Sequence, residues 1–573
     1  MPTSPAHGQP STIQTITPAE VRASAREVLG HRALLPGQLE AVRAAVSGRD
    51  TLVLLPTGGG KSAVYQLVGL ERPGPSVVVC PLVALQQDQL DGLEELRLPA
   101  AALNSTLSEA EHAQTLRRFG NGEIEFLLLA PEQLANPDVL DALAAAKPSL
   151  LVVDEAHCVS EWGHDFRPEY RRLGQVREVL GRPPVLALTG TASPPVREDV
   201  IRWLRLDDPV VVARGFDRPE LFLSVSHHSD AASKRQALLE WLDEAERPGI
   251  VYVATRRAAS DIARALVDRG VSTEAYHAGL GAARRERVLG DFIGDRIEVV
   301  VATIAFGMGV DKPNVRFVAH HDASESLDAY HQEIGRAGRD GEAARAHLFF
   351  DPADLGLRRF QSIPPALASE HVAAVIEALS AGGMTVDRLA RRTGFSGRRV
   401  EQLLGRLEEV DEIRMTTDGV AELTESERAA DANGKPNGKP VRARAGEVAA
   451  SVVEAQERRR QQARSRVELV RGYAETRGCR RRYLLNSLGE EFEAPCHRCD
   501  NCEAGAADAE VDGGQRMFEL NELVNHAVFG PGQVSRVESD RVSVRFEKTG
   551  YRTLALPDAV EAGVLRRASP ERR

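Results

Sequence analysis

Lysine is almost missing from this chain. Of its 72 lysines and arginines, seven are lysines, so a lysine inside any motif stands out. Long apolar runs are missing too. No stretch approaches the roughly 18 residues a membrane-spanning helix needs, and the first twenty residues, MPTSPAHGQPSTIQTITPAE, hold no signal-peptide core. A cytoplasmic protein is expected. Positive charge is in deficit, with a formal net charge of −11. Phosphate backbones attract basic proteins, so the deficit argues at first sight against nucleic acid. The argument is weak, because net charge says nothing about where charges sit. Cysteine is sparse and uneven. Cys80 and Cys158 stand alone in apolar stretches, while Cys479, Cys496, Cys499 and Cys502 crowd one short segment. In a cytoplasmic protein such a cluster points to metal rather than disulfides.

What is there is ordinary globular material: 573 residues, 42% hydrophobic and 27% charged. Disorder throughout is excluded, and at about 150 residues per domain roughly four domains are expected. After a flexible tail at 1–20, short apolar runs alternate with helical stretches. They are Thr51–Leu55, Ser76–Cys80, Phe126–Ala130, Leu150–Val153 and Val185–Thr189. A second series follows at Gly249–Val253, Val299–Ala302, Phe317–His320 and His347–Phe350. Such alternation predicts parallel sheets. The fold class is therefore α/β, with two units in tandem at 21–213 and 214–352. Residues 366–426 are helical in pattern, and TVDRLARRTGFSGRRVEQLL (Thr385–Leu404) reads as helix, glycine-centred turn, helix. A polar linker at 427–440 contains DANGKPNGKP. An arginine-rich helix and the cysteine cluster occupy 441–506. A second linker at 507–519 leads to alternating strands within 520–568, at Gln533–Val537, Arg541–Phe546 and Tyr551–Leu556, which predict a small β-barrel.

Pro56-Thr57-Gly58-Gly59-Gly60-Lys61-Ser62 follows a strand and precedes a helix, the context of a phosphate-binding loop. Glycines at 58, 59 and 60 let backbone N–H groups curl round phosphates. Lys61 would reach the β- and γ-phosphates, and Ser62 would ligate Mg²⁺. Leu55 occupies the first glycine position of the strict pattern. The alternative is a plain glycine-rich turn, which the rarity of lysine disfavours. Leu150–Val153 ends in Asp154-Glu155-Ala156-His157. There Asp154 would hold hydrated Mg²⁺, and Glu155 would orient and deprotonate water. In the second unit, HQEIGRAGRDG carries Arg336 and Arg339 three residues apart on one helical face, from which they can reach a γ-phosphate across a cleft; taken alone, the favoured reading would be a surface arginine helix.

Together these segments resemble the RecQ-type DNA helicases of helicase superfamily 2, from about Leu29 to Asp351 and again over the cysteine cluster. The resemblance implies two RecA-like domains, an ATP-dependent 3′-to-5′ DNA helicase of repair and recombination, and a bacterial, nucleoid-associated place. Pro36-Gly37-Gln38 resembles the adenine-reading motif, with Leu34 and Leu35 where the family has an aromatic and an arginine. Gln332 falls with the nucleotide-contacting residues. Pro81–Gln89 resembles a strand-contacting motif. Leu188-Thr189-Gly190-Thr191-Ala192 resembles the motif that couples hydrolysis to DNA. Ala302–Pro313, with Thr303, resembles the fifth motif. Trp162–Tyr170 resembles the aromatic-rich loop that senses single-stranded DNA. Its Trp162, Phe166 and Tyr170 offer stacking faces, and His164 and Arg167 polar contacts. The alternative is that these aromatics pack a domain cleft.

Cys479 and the Cys-x2-Cys-x2-Cys run ending at Cys502 supply four thiolates for a tetrahedral, structural Zn²⁺. Their spacing resembles the RecQ zinc subdomain. Val441–Arg482 holds twelve arginines, no lysine and five glutamates, a local net of +7, and is a candidate duplex-DNA surface. The helix-turn-helix precedes the zinc site, whereas in the family a winged helix follows it. It is either a displaced winged helix gripping duplex through Arg398, Arg399 and Arg406, or a spacer. No strand-splitting hairpin is identifiable. The tail resembles the Tudor-like barrel of UvrD-type helicases, which implies a repair or transcription protein as partner. Two other readings stay open: an ATP-driven translocase or RNA helicase with weak strand separation, and a recruitment protein with a vestigial ATPase core.

Overall fold

The structure is a computed structural model and describes residues 16–56, 58–104, 106–162, 165–213, 215–307, 310, 312–363, 366–410, 412–416, 419–424, 441–505, 517–537, 541–546, 549–556 and 558–568. Most of the 1–20 tail and the whole 427–440 linker lie outside these residues, as do residue 506 and 507–516 of the second linker. Among the described residues no helix is long and apolar enough to cross a membrane.

The first unit is a seven-stranded parallel sheet. Its strands are β1 (Thr51–Leu54), β2 (Ser76–Val79), β3 (Ala100–Leu103), β4 (Phe126–Leu129), β5 (Leu150–Val153), β6 (Val185–Thr189) and β7 (Val210–Ala213), in the order β3-β4-β2-β5-β6-β1-β7. Helices cover both faces. Leu52 and Leu54 enter one apolar cluster with Val77 and Val79, while Val53 and Val78 enter another on the opposite face. Burial on both faces is why the central strands read as unbroken apolar runs rather than alternating ones.

The second unit has six parallel strands: β8 (Leu221–His227), β9 (Gly249–Tyr252), β10 (Thr273–Tyr276), β11 (Val299–Ala302), β12 (Phe317–His320) and β13 (Ala344–Phe350), in the order β10-β11-β9-β12-β13-β8. The strands that apolar runs fail to announce, β3, β7, β8 and β10, are the four sheet edges. Edge strands are half-covered, so Thr273-Glu274-Ala275-Tyr276 needs no apolar run, and all four of its residues are partly exposed.

Residues 369–423 run helix (Ser369–Leu379), β14 (Met384–Thr385), helix (Val386–Thr393), helix (Gly397–Glu409), β15 (Ile413–Met415), β16 (Val420–Leu423). That is the element order of a winged helix, around a core that includes Val375, Leu389, Val400 and Leu403. A 35-residue helix, Val441–Glu475, follows. Its Ala445, Ala449 and Val452 pack into the winged-helix core, and its Val467, Val470 and Tyr473 into the core of the second unit. It is a strut between the two. The tail is a five-stranded antiparallel sheet wrapped on one apolar core that includes Val534, Val544 and Phe546. Its strands are β17 (Leu523–His526), β18 (Gly530–Val537), β19 (Arg541–Phe546), β20 (Gly550–Ala555) and β21 (Leu565–Arg567), in the order β20-β19-β18-β17-β21.

One buried carboxylate ties the first sheet together at the strand N-termini. Asp50 accepts from the backbone N–H of Val185 at 2.9 Å and of Asp207 at 2.7 Å, and pairs with Arg177 at 2.8 Å. Removing one partner of a buried pair leaves an uncompensated charge, worth about 3–5 kcal/mol. Asp50→Ala is therefore expected to destabilise the first unit by about 3 kcal/mol in urea unfolding. Glu123→Ala, which removes only exposed contacts with Arg118 and Asn121, should leave the midpoint near wild type. Equal midpoints for the two variants would refute the assignment.

Candidate nucleotide and nucleic-acid site

The loop after β1 is built for close backbone approach. Gly58 and Gly60 have φ of +82° and +70°, the left-handed region that glycine enters without strain. A Cβ on Gly59 would lie 2.9 Å from the Pro56 carbonyl oxygen. Gly60 caps the helix Lys61–Glu71 with no side-chain bond, so the first N–H groups of that helix stay open toward the loop. An open helix N-terminus favours phosphate. Lys61 and Ser62 begin the helix. Thr57 lies outside the described residues. Gln38 stands directly behind the loop. Its Nε2 donates to the Gly60 carbonyl at 3.0 Å, and its Oε1 accepts from the Leu35 N–H at 2.8 Å. Its amide thus braces the phosphate loop.

Asp154 and Glu155 leave the end of β5, two strands from β1. Asp154 is 5% exposed. Its carboxylate accepts from Gln89 Nε2 at 2.7 Å and from the Glu155 N–H at 2.9 Å. Burial, and then the charge of Glu155, push the Asp154 carboxyl up to about 6. Lys61 Nζ stands 4.0 Å from Glu155. His157 Nδ1 meets Thr189 Oγ1 at 2.9 Å, and Thr189 donates to the Thr191 carbonyl at 2.8 Å. A continuous chain of polar contacts thus joins the acidic pair to the loop after β6. Thr191 Oγ1 is buried without a hydrogen-bond partner. Gln89 and His157 were not singled out from sequence, although both lie inside the quoted motifs. Their signal is only the spacing that brings them to Asp154 and Thr189.

The second unit reaches the same place. The side chain of Arg339 runs 3.7 Å from where a Gly58 Cβ would stand, and its Nη1 donates to the Val310 carbonyl at 2.9 Å. Arg336 is 5% exposed, and its Nε is buried with no hydrogen-bond partner. Gln332 lies half-buried on the helix Leu327–Ile334. Thr303 follows β11, and its N–H donates to the Tyr276 carbonyl at 3.1 Å. Met308, Gly309 and Asp311 of the fifth motif lie outside the described residues.

The aromatic-rich loop departs from expectation. Tyr170 is completely buried, and its hydroxyl donates to the Asp154 carbonyl at 3.1 Å. Trp162 is also buried. Neither presents a stacking face in this conformation, where both rings pack against protein. Phe166 stays half-exposed beneath the Arg171 guanidinium at 4.8 Å. Arg167 donates to the Pro81 carbonyl at 2.6 Å, which ties the loop to the Pro81–Gln89 motif. His164 lies outside the described residues.

The sulfurs of Cys479, Cys496, Cys499 and Cys502 lie within 4.8 Å of one another, with Cys496 and Cys502 at 3.8 Å. Tetrahedral Zn–S bonds of about 2.3 Å put sulfurs about 3.8 Å apart, so the donor set fits zinc and fills every position. The +7 segment, in contrast, is not a free basic face. Arg459 pairs with Glu161 at 2.6 Å, Arg458 with Glu454 at 2.9 Å and Arg471 with Glu475 at 2.9 Å. Arg460 meets Glu457, Arg480 meets Asp500 and Arg481 meets Asp217. Arg466 is buried near Glu325, Asp328 and Glu161. Arg459, Arg466, Arg480 and Arg481 are thus matched by carboxylates from outside the local count, so the segment presents less free positive charge than its net +7. Arg388, Arg391, Arg392 and Arg398 of the winged-helix module are exposed, and no described carboxylate pairs with them.

Comparison with known proteins agrees with this layout. Residues 35–200 match the DEAD/DEAH box helicase family, 233–341 the helicase conserved C-terminal domain, and 442–503 the RecQ zinc-binding family. The chain is 40% identical over 357 residues to a probable ATP-dependent DNA helicase RecS of Bacillus subtilis, covering 62% of this chain and 71% of that protein. It is 40% identical over 327 residues to the ATP-dependent DNA helicase RecQ of Pasteurella multocida, covering 57% of this chain and about half, 51%, of that one. Among solved structures, the DUF1998 helicase MrfA bound to DNA shares the fold with a TM-score of 0.51 at 17% identity, over 72% of this chain and 63% of that one. A P-loop and an acidic pair in one sheet, arginines from a second sheet and a four-cysteine zinc site therefore place this chain in the RecQ-type family of superfamily 2 ATP-dependent DNA helicases.

Proposed function

We propose that this chain translocates 3′ to 5′ on single-stranded DNA and unwinds duplex or branched DNA in repair and recombination, in the bacterial cytoplasm at the nucleoid. The observation that carries the reading is Arg339 of the second unit lying against Gly58 of the first. A nucleotide between them would be touched by both units. The phosphates of ATP are received by Lys61 and the N–H groups around Gly58–Gly60. Asp154 and Glu155 face one ammonium group, a donor set short of positive charge that fits a divalent cation. Ser62 and Asp154 would hold Mg²⁺, which neutralises phosphate charge. Glu155 orients and deprotonates the attacking water, and Arg336 and Arg339 stabilise charge on the transferring phosphoryl group. Gln38 and Gln332 line the base side.

Closing and opening of the two units would reach DNA through two routes. One runs from Glu155 through His157 and Thr189 to Thr191. The other runs from Asp154 through Tyr170 to the aromatic-rich loop, where Phe166 and Arg167 meet the strand. Thr303 sits at the corresponding strand end in the second unit. Duplex is gripped by the exposed arginines of the winged-helix module. A repair or transcription protein docks on the C-terminal sheet.

Three tests follow from these roles. Lys61→Ala should lower DNA-stimulated phosphate release by roughly 10²-fold, and normal unwinding by that variant would sink the mechanism. Cys499→Ser should lose bound zinc by metal analysis and lower the melting temperature. Full zinc content in the variant would remove the metal site. Arg391→Ala and Arg398→Ala should each reduce the slope of log affinity for duplex against log salt by about 1. An unchanged slope would return the winged-helix module to the status of a spacer.

A further inference from the structure

The C-terminal sheet reaches back to one side chain of the aromatic-rich loop. Trp162 is 8% exposed, and the ring covering it is Tyr551 of β20, edge to face, with centroids 5.8 Å apart and planes at 87°. Tyr551 packs against the core of the first unit. With Trp162, Ser193, Asp328, Arg466 and Leu469 it lines a narrow gap where the two motor units meet. Several contacts hold the sheet there. Arg545 pairs with Glu198 of the first unit at 2.8 Å, and Arg552 donates to Gln461 of the long helix at 3.2 Å. Gly550 approaches so closely that a Cβ would lie 2.6 Å from Ser465 Oγ. From the other side, Arg466 donates to the Trp162 carbonyl at 3.3 Å, and Arg459 pairs with Glu161 at 2.6 Å.

We propose that the C-terminal sheet is an intramolecular clamp on the aromatic-rich loop, and that single-stranded DNA must displace Tyr551 before the loop can stimulate hydrolysis. The proposal rests on the assignment of that loop to single-stranded DNA. A base and Tyr551 compete for the same indole. A ligand that binds only the opened state has its apparent affinity lowered by the fraction of molecules that are open. One edge-to-face aromatic pair together with one half-exposed ion pair is of the size that gives about a tenfold bias toward the closed state. Away from DNA the motor then idles. Any protein that draws the sheet away acts as an activator without touching the nucleotide site.

The test is ATP hydrolysis by the full chain titrated with oligo(dT). Tyr551→Ala should reach half-maximal stimulation at about tenfold lower oligo(dT), with an unchanged rate at saturation. Arg545→Glu breaks the pair with Glu198, along with a bond to Gln533 within the sheet, and should shift the curve the same way by several-fold. Adding Glu198→Arg should restore the parent curve, which a merely misfolded sheet would not do. If both single variants follow the parent curve while Trp162→Ala abolishes stimulation, the clamp is overturned and the loop assignment stands. If Trp162→Ala is stimulated like the parent, the loop assignment falls and the clamp falls with it.

Discussion

Parallel, in-register pairing of β1, β6 and β5 is the constraint on which the rest of the molecule depends. Leu54 sits opposite Thr189, and Val153 opposite Ala187. Three loops therefore leave the sheet side by side at its C-terminal edge. They are the glycine turn with Lys61, the loop with Thr191 and the acidic pair. A one-residue slip in either pairing would turn alternate side chains from one face to the other and draw Asp154 away from Lys61. The buried carboxylate of Asp50 fixes the opposite ends of the strands. That register makes the short reach from Glu155 through His157 to Thr189 possible.

The second unit must be held where Arg339 can meet Gly58, and two small parts of the chain do this. The zinc subdomain joins both units. Its Leu485 and Leu488 pack into the first core, while Cys499 and Cys502 pack into the second. The Asp500 carboxylate accepts from the Val225 N–H at 2.9 Å, and the Arg498 carbonyl from the Leu223 N–H at 3.1 Å. The edge of β8 is thereby covered, which removes an exposed strand edge as well as anchoring the metal site. The long helix supplies the second tie through Arg459 and Arg466, whose partners include Glu161 of the first unit and Glu325 and Asp328 of the second. A buried arginine placed among carboxylates from both units is costly to separate, so it favours one arrangement of the units over many.

Much of this was legible in the sequence because the chemistry is local. The phosphate loop, the acidic pair and the four cysteines each carry their meaning within a few residues, and each folds where the flanking strand or helix predicts. The edge strands were not legible, since half-covered strands such as β10 need no apolar run. The roles of individual aromatics were not legible either. Trp162 and Tyr170 belong to a motif whose residue types fit stacking on bases, yet burial is decided by distant partners. Tyr170 is taken into the core by the Asp154 carbonyl, and Trp162 is covered by a residue nearly four hundred positions away. The arginine-rich helix shows the same limit for charge. The local count gives a net of +7, but several of the carboxylates that answer its arginines sit at positions such as 161 and 217, which no local count includes.

Along the long helix, charge is therefore organised by pairing rather than by a free basic face. Arg388, Arg391, Arg392 and Arg398 of the winged-helix module are exposed and have no described carboxylate partner, in a chain of net charge −11. Arg459 and Arg466 of the strut are turned inward and act as internal ties, while Arg458, Arg464 and Arg471 lie at its surface in pairs with glutamates of the same helix. The module thus carries a small exposed basic face. That module packs on the same helix that, through Arg459 and Arg466, holds residues 161 and 162, so a load on the module would reach the aromatic-rich loop. The winged-helix module, the aromatic-rich loop and the second unit are thus mechanically linked along Val441–Glu475.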